Sequence, residues 1–250
     1  MLTLKTKSEI EMMRAAGRVV ARILRLMSEA IVPGKTTPKD LDALAARLVA
    51  EAGGTAAFLG LKGFPNSVCI SRGPQVVHGI PDDVPLQEGE VVGLDIGVTL
   101  NGWTADGAWT YPVGTISAED QRLLNVTRES LYQGIAKARV GGRVGDISHA
   151  IQRYVESNGY SIVRELVGHG IGRGVHEEPS VPNFGKPGKG PLLREGMTIC
   201  IEPMVNMGTS KVATLPDNWT VVTADGKTSA HFEHTVAITK DGPDILTVES

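Results

Sequence analysis

Cysteine is almost missing from this chain. Only Cys69 and Cys200 occur in 250 residues. They cannot build a disulfide framework, nor close a zinc site alone. That predicts a reducing, cytosolic compartment. Excess positive charge is missing too. The net charge is -3, so neither specific DNA binding nor nucleic acid as the main partner is expected. No apolar run approaches the ~20 residues that a membrane span needs. The first fourteen residues are charged and hold no apolar h-region, so no signal peptide is expected. Low-complexity segments are absent as well.

What is present is an ordinary soluble composition, 41% hydrophobic and 21% charged. It suits one large domain or two small ones. The chain also repeats itself. Leu86-Gln87-Glu88-Gly89 stands before Val91-Val92-Gly93-Leu94-Asp95, and Leu193-Arg194-Glu195-Gly196 before Met197-Thr198-Ile199-Cys200-Ile201-Glu202. Each Leu-x-Glu-Gly reads as a turn and each apolar run as a strand, so the two strands deliver a carboxylate at the same depth. Upstream, Leu41, Leu44, Ala45 and Leu48 share helical spacing with Ile147, Ala150, Ile151 and Tyr154, and Gly53 and Gly159 close the two helices. The helix pair and the strand pair are offset by 106 and 107 residues. Two related halves follow, about 1–115 and 116–250, within one domain spanning 1–250. Each half opens with another helix. Ser8-x-x-Glu11 reads as a capping box for the first, and Ser117 with the acidic Glu119 and Asp120 opens the second. Pro33-Gly34 and Gly141-Gly142 read as their ends. Helices grouped ahead of strands and hairpins predict an α+β fold, with helices covering one face of a largely antiparallel sheet. Pro182 to Pro191 reads as a flexible surface loop.

The chemistry gathers on carboxylates. In Gly93 to Thr110, Asn101-Gly102 is a strong hairpin signal. A turn there pairs Leu100 with Trp103 and Gly97 with Asp106. Asp95 then lies diagonal to Asp106 on the same face, roughly 5–8 Å away at Cβ. A bulge would break that register. Two such carboxylates on a semi-buried face repel each other, and a cation between them relieves both charge and desolvation. For an isolated hairpin, solvated aspartates would be the simpler reading, but Val91, Val92, Leu94, Ile96 and Val98 argue against full exposure. His169 sits among three glycines in Val167 to Gly172, which allow close backbone approach and leave the imidazole clear. Glu202 interrupts an apolar strand and needs a partner. Glu233 precedes another apolar strand, where pairing with a histidine is also a fair reading. His149, His231 and His234 read as structural or surface residues. Four carboxylates and one imidazole suit Mn, Fe, Co or Zn in a hydrolytic site better than a structural zinc. Two ions fit if some carboxylates bridge.

At this point the residues resemble the methionine aminopeptidases, of the short bacterial type I form. The motifs VVHGIP, LDIGVTLNGWTADGAWTY, GHGIGRGVHEEP, ICIEP and DNWTVVTADGKTSAHFEHTV run in that family's order across nearly the whole chain. The resemblance implies the pita-bread fold, a pseudo-twofold α+β domain with a curved antiparallel sheet. It implies two divalent ions, among Co, Mn, Fe, Zn and Ni, with Asp106 and Glu233 bridging them. Asp95 completes one shell; His169 and Glu202 complete the other. A bridging water or hydroxide attacks the scissile carbonyl, with Glu202 as general base. His176 stabilises the oxyanion, and His78 contacts the scissile amide nitrogen. Phe58, Leu61, Phe64, Cys69, Val175 and Trp219 line a methionine pocket, with Phe58, Leu61, Phe64 and Val175 standing where cysteine, tyrosine, tyrosine and phenylalanine are frequent. A monovalent cation site is implied near Ser229.

The implied activity is removal of the initiator methionine from nascent polypeptides whose second residue is small. It implies transient ribosome association, a cytoplasmic monomer and no membrane. An Xaa-Pro peptidase of the same fold is the nearest rival. A non-catalytic pita-bread binding protein would lose metal ligands, whereas this chain keeps five. A mononuclear iron oxygenase fits four carboxylates poorly.

Overall fold

The computed structural model describes residues 2–249. Four helices carry the apolar stripes. They are α1 (Lys7–Glu29), α2 (Pro38–Glu51), α3 (Ala118–Ile135) and α4 (Val144–Ser157). Helix α1 buries Ile10, Met13, Val20, Ile23, Leu24 and Met27, the stripe that helical spacing predicts. Its cap differs from expectation. Thr6, not Ser8, is the N-cap: its hydroxyl accepts from the Glu9 amide at 3.3 Å, and its amide donates to the Glu9 carboxylate at 2.8 Å. Thr6-x-x-Glu9 is the same reciprocal motif two residues earlier, and Glu11 instead binds Arg14. Ser117 caps α3 as expected. Both helices end before their glycines, at Ala30 and Ala136. Helix α2 begins at residue 38 and α4 at 144, 106 residues on. Gly53 and Gly159 follow them with φ of 71° and 85°, the left-handed geometry of a helix stop.

The strands are β1 (Thr55–Ala56), β2 (Cys69–Arg72), β3 (Gln75–Val77), β4 (Val91–Leu100), β5 (Trp103–Pro112), β6 (Ser161–Ile162), β7 (Gly168–Gly170), β8 (Glu177–Val181), β9 (Thr198–Ile201), β10 (Met204–Asn206), β11 (Val212–Thr214), β12 (Val221–Thr223), β13 (Ser229–His231), β14 (Glu233–Thr239) and β15 (Gly242–Ile245). One nine-stranded sheet runs β1-β4-β5-β14-β9-β7-β8, with β2 on β4 and β15 on β14. Its pairings are antiparallel, as are those of two small three-stranded sheets. The large sheet crosses from one half of the chain to the other where β5 meets β14.

The core divides the same way. Helices α1 and α2 pack with β4 and β5 around Val20, Leu41, Val92, Leu94 and Ile96. Helices α3 and α4 pack with β9 and β14 around Leu123, Leu131, Ile147, Ile199 and Val236. Each fully buried side chain of this size contributes about 1.5–3 kcal/mol, so either half carries a core of its own. Both Leu-x-Glu-Gly segments are turns, with Gly89 and Gly196 at φ 88° and 86°. Strand β4 starts at 91 and β9 at 198, so Asp95 and Glu202 each lie four residues beyond a strand's first residue. Among the described residues, no helix is long and apolar enough to cross a membrane.

Candidate metal centre

The β4–β5 hairpin sets the first two carboxylates. Asn101 and Gly102 take φ of 52° and 74°, the left-handed pair that a tight hairpin turn needs. The register is unbroken, with Leu100 opposite Trp103 and Gly97 opposite Asp106. Asp95 lies opposite Ala108 and therefore shares the face of Gly97 and Asp106. No bulge intervenes. Thr235 then fastens this strand to β14: its hydroxyl accepts from the Asp106 amide at 2.9 Å and donates to the Asp106 carbonyl at 2.7 Å.

His169 stands in the middle of β7, between β8 and β9. Its glycine neighbours are there for closeness. A Cβ on Gly168 would lie 2.4 Å from the Cys200 carbonyl oxygen, and one on Gly170 2.2 Å from that of Glu178. The His169 Nδ1 lies 3.0 Å from the Gly170 carbonyl. Donation from Nδ1 leaves the Nε2 lone pair facing the carboxylates, the tautomer of a metal ligand. That Nε2 is 3.4 Å from Glu202 Oε1 and 4.0 Å from Asp106 Oδ2. Glu202 follows the last residue of β9. Asn183 Nδ2 holds its carbonyl at 3.0 Å. Asn183 is fully buried, so the segment 182–191 is not the wholly exposed loop that its composition suggests. Glu233 opens β14, opposite Ala108.

These five residues line one cavity of about 220 Å³ together with His78, His176 and His231. Asp106, His169 and Glu233 each offer a ligand atom within 4.8 Å of the others, as does Cys200. Burial, and then the neighbouring acids, push the Cys200 thiol well up. It therefore stays protonated, leaving hard oxygen and nitrogen donors. Burial likewise raises Asp95, Glu202 and Glu233 well above the usual carboxylate range, with mutual repulsion adding to it. It lifts Asp106 to about 7. Asp95 Oδ1, Asp106 Oδ1 and Glu233 Oε1 are buried without a hydrogen-bond partner. Unpartnered acidic oxygens facing an imidazole lone pair fit divalent cations, which would remove both penalties at once.

The far wall of the cavity is apolar. Phe58, Phe64, Cys69 and Val175 form one buried cluster, with Leu61 and Trp219 packed on it. All six pocket residues expected from the motifs are thus together; Val175 packs in the cluster without lining the cavity. Phe64 and Trp219 meet edge to face, with centroids 5.2 Å apart. His176 packs its ring against His169 at 4.4 Å. His78 takes φ 59°, a left-handed backbone that turns the chain beside the cavity. Burial lowers the pKa of both, and Lys62 adds to it. Ser229 sits in β13. Its hydroxyl is bonded to Val205 and Asn206, and its amide donates to the Gly73 carbonyl at 2.9 Å.

Sequence reasoning set His231 aside as structural or surface, and the structure corrects this. It lines the cavity, with Nε2 3.8 Å from Glu202 Oε2. Burial takes its pKa down to about 3. The signal was available: His231 stands two residues before Glu233, on the same face of an extended chain. His234, one residue further, points the other way to Thr247 and Trp109, a structural role as expected. His149 lies on α4, along a separate surface groove.

Comparison with known proteins agrees with this geometry. Residues 11–240 match the family described as Metallopeptidase family M24. The chain is similar to "Methionine aminopeptidase" of Clostridium perfringens, 54% identical over 248 residues and 99% of each chain. It is similar to the crystal structure of methionine aminopeptidase from Rickettsia prowazekii, with TM-score 0.97 and 40% identity. That match covers 99% of this chain and 100% of the other. The prolidase from Pyrococcus furiosus shares the fold alone, at TM-score 0.77 and 22% identity, over 65% of its length.

Proposed function

This chain belongs to metallopeptidase family M24 and has the pita-bread fold, and from that membership we propose that it removes the initiator methionine from nascent proteins whose second residue is small. One observation carries the reading. Five side chains able to hold a metal, three of them with an unpartnered oxygen, share one small cavity with most of an apolar cluster. Divalent metal use follows from the family and this buried donor set.

Two ions are proposed, which Asp106 and Glu233 would hold together with Asp95, His169 and Glu202. When bound, they would lower the pKa of an attacking water and polarise the scissile carbonyl. The chain's own residues do the rest. The Phe58–Trp219 cluster takes the methionine side chain, whose flexible thioether suits an apolar, sulfur-containing wall. Glu202 accepts the proton of the attacking water and returns it to the leaving amine. His176, neutral because burial lowers its pKa, donates a hydrogen bond to the developing oxyanion. His78 contacts the scissile nitrogen. The whole chain acts as one catalytic domain with halves 1–115 and 116–250. The continuous nine-stranded sheet supports that. The setting proposed is the cytoplasm, with a monomer transiently at the ribosome.

A peptide panel with each of Mn, Fe, Co, Ni and Zn tests this. Met-Gly and Met-Ala substrates should be cut at least about tenfold faster than Met-Leu ones, the discrimination a steric pocket supplies. Faster turnover of Xaa-Pro peptides would overturn the assignment.

A further inference from the structure

The carboxylate of Glu202 lies between two imidazoles, one at each oxygen. His169 Nε2 stands 3.4 Å from Oε1, and His231 Nε2 3.8 Å from Oε2. They are not equivalent. His169 gives its Nδ1 proton to the Gly170 carbonyl, so its Nε2 is committed as a lone pair. His231 Nε2 is buried and has no hydrogen-bond partner. A buried ring nitrogen left unpaired forfeits the hydrogen bond it makes in water, so such a nitrogen facing a carboxylate calls for a reason. The backbone that carries the ring is held firmly in place. The His231 amide donates to Thr110 Oγ at 3.0 Å, and the Thr110 hydroxyl donates to the His231 carbonyl at 2.8 Å. Across the β10–β13 ladder His231 is opposite Met204, two residues beyond Glu202. Backbone pairing therefore sets the imidazole beside this particular carboxylate.

We propose that His231 is a positioning residue for Glu202, donating from Nε2–H to Oε2 and fixing the plane of that carboxylate. A movement of about 1 Å brings the pair to hydrogen-bond length. Each carboxylate oxygen has two lone pairs, so Oε2 accepts from His231 and still takes a proton from water. With His169 directed at a cation, His231 is the donor left to hold Glu202 in register. The role depends on Glu202 being the general base.

Two measurements test it. In the zinc-loaded wild-type protein, nitrogen-15 imidazole spectra should show His231 as the Nε2–H tautomer. The Nδ1–H tautomer, with Nε2 free or on metal, would overturn the proposal without any variant. His231→Gln and His231→Met differ mainly in a donor group. The Gln variant should keep kcat within about threefold. The Met variant should lose at least about tenfold in kcat, with KM and bound metal unchanged, the range for losing one oriented hydrogen bond. Wild-type kcat in the Met variant, or a tenfold loss in the Gln variant with full metal, would also overturn it. Glu202→Gln run alongside separates the two ideas. If that variant stays active, the base assignment has failed. If it is dead while His231→Met is normal, only the role of His231 has.

Discussion

The two walls of the cavity are built in different ways. The acidic wall stands on or beside ladders: Asp95 and Asp106 in one hairpin, His169 in β7, Glu202 just beyond β9 and Glu233 at the start of β14. The apolar wall is assembled mostly from connections: Phe58 and Leu61 before a strand, Val175 between β7 and β8, Trp219 just before β12. Ladder positions are fixed by register, since a one-residue slip sends every side chain to the opposite face. Loop positions are fixed only by packing. The acidic wall should therefore govern whether the reaction happens, and the apolar wall which side chain is chosen.

The sharpest way to break that division is Glu202→Gln. The amide keeps the volume and loses the base. Turnover of a Met-Ala-Ser peptide should fall by about 10²–10⁴, the usual contribution of a positioned general base, with KM little changed. Steady-state kinetics on metal-replete protein checks it. A change confined to KM would mean that the acidic wall also selects substrate.

The second effect concerns protons. In the metal-free protein, burial raises Asp106 to about 7 and holds the other three acids higher than ordinary carboxylates. Asp106 is therefore about half protonated at neutral pH, and metal must displace the protons that the raised acids hold. His169, lowered to about 4, is already neutral and releases none on binding metal. Affinity should rise with pH and fall as pH drops, by about tenfold per unit for each proton released. Calorimetry in two buffers of different ionisation enthalpy counts those protons at pH 7. A count of zero would mean that the carboxylates are already ionised, and their burial less costly than their surroundings suggest.

The same division explains what could be read in advance. The Asp95–Asp106 pair was legible because a hairpin is local: Asn101-Gly102 sets the register, and alternation does the rest. The His169 setting was legible because only glycine tolerates carbonyl oxygens 2.4 and 2.2 Å from where a Cβ would sit. The repeat located Asp95 and Glu202 at equal depth. The apolar wall was not legible from any period. Phe64 and Trp219 touch, yet 154 residues separate them and no alternation links them. Only the motif resemblance brought them together. His231 was missed although alternation put it beside Glu233, because a lone histidine is more often structural. Asn183 was missed because the lysines, prolines and glycines of its segment mark a loop, and the apolar Phe184 beside it was outweighed by them. The Thr6 cap was displaced by two residues because Ser8 and Glu11 repeat its pattern.

On the apolar wall, Trp219→Ala removes the ring that meets Phe64 edge to face. KM for methionyl peptides should rise about tenfold while kcat stays within threefold, in keeping with an apolar pocket contact worth 1–3 kcal/mol. Metal content, measured by elemental analysis, should not change. Loss of metal in this variant would show that the walls are not independent.

Gly97 is where they meet, and it should give the smallest effect. It is opposite Asp106 in the hairpin, on the acidic face. A Cβ there would stand 2.9 Å from Phe58 Cε1 and 3.1 Å from the Ala57 Cβ. Gly97→Ala thus presses the hairpin on the first residue of the apolar wall. The hairpin is the stiffer partner, because ten residue pairs hold it and Thr235 ties it to β14. Phe58 should give way by a few tenths of an ångström. The expected result is a two- to threefold rise in KM, about 0.4–0.7 kcal/mol, with kcat and bound metal at wild-type values. If kcat or metal falls instead, the strain has gone into Asp106, and the ladder is less rigid than the loop it supports.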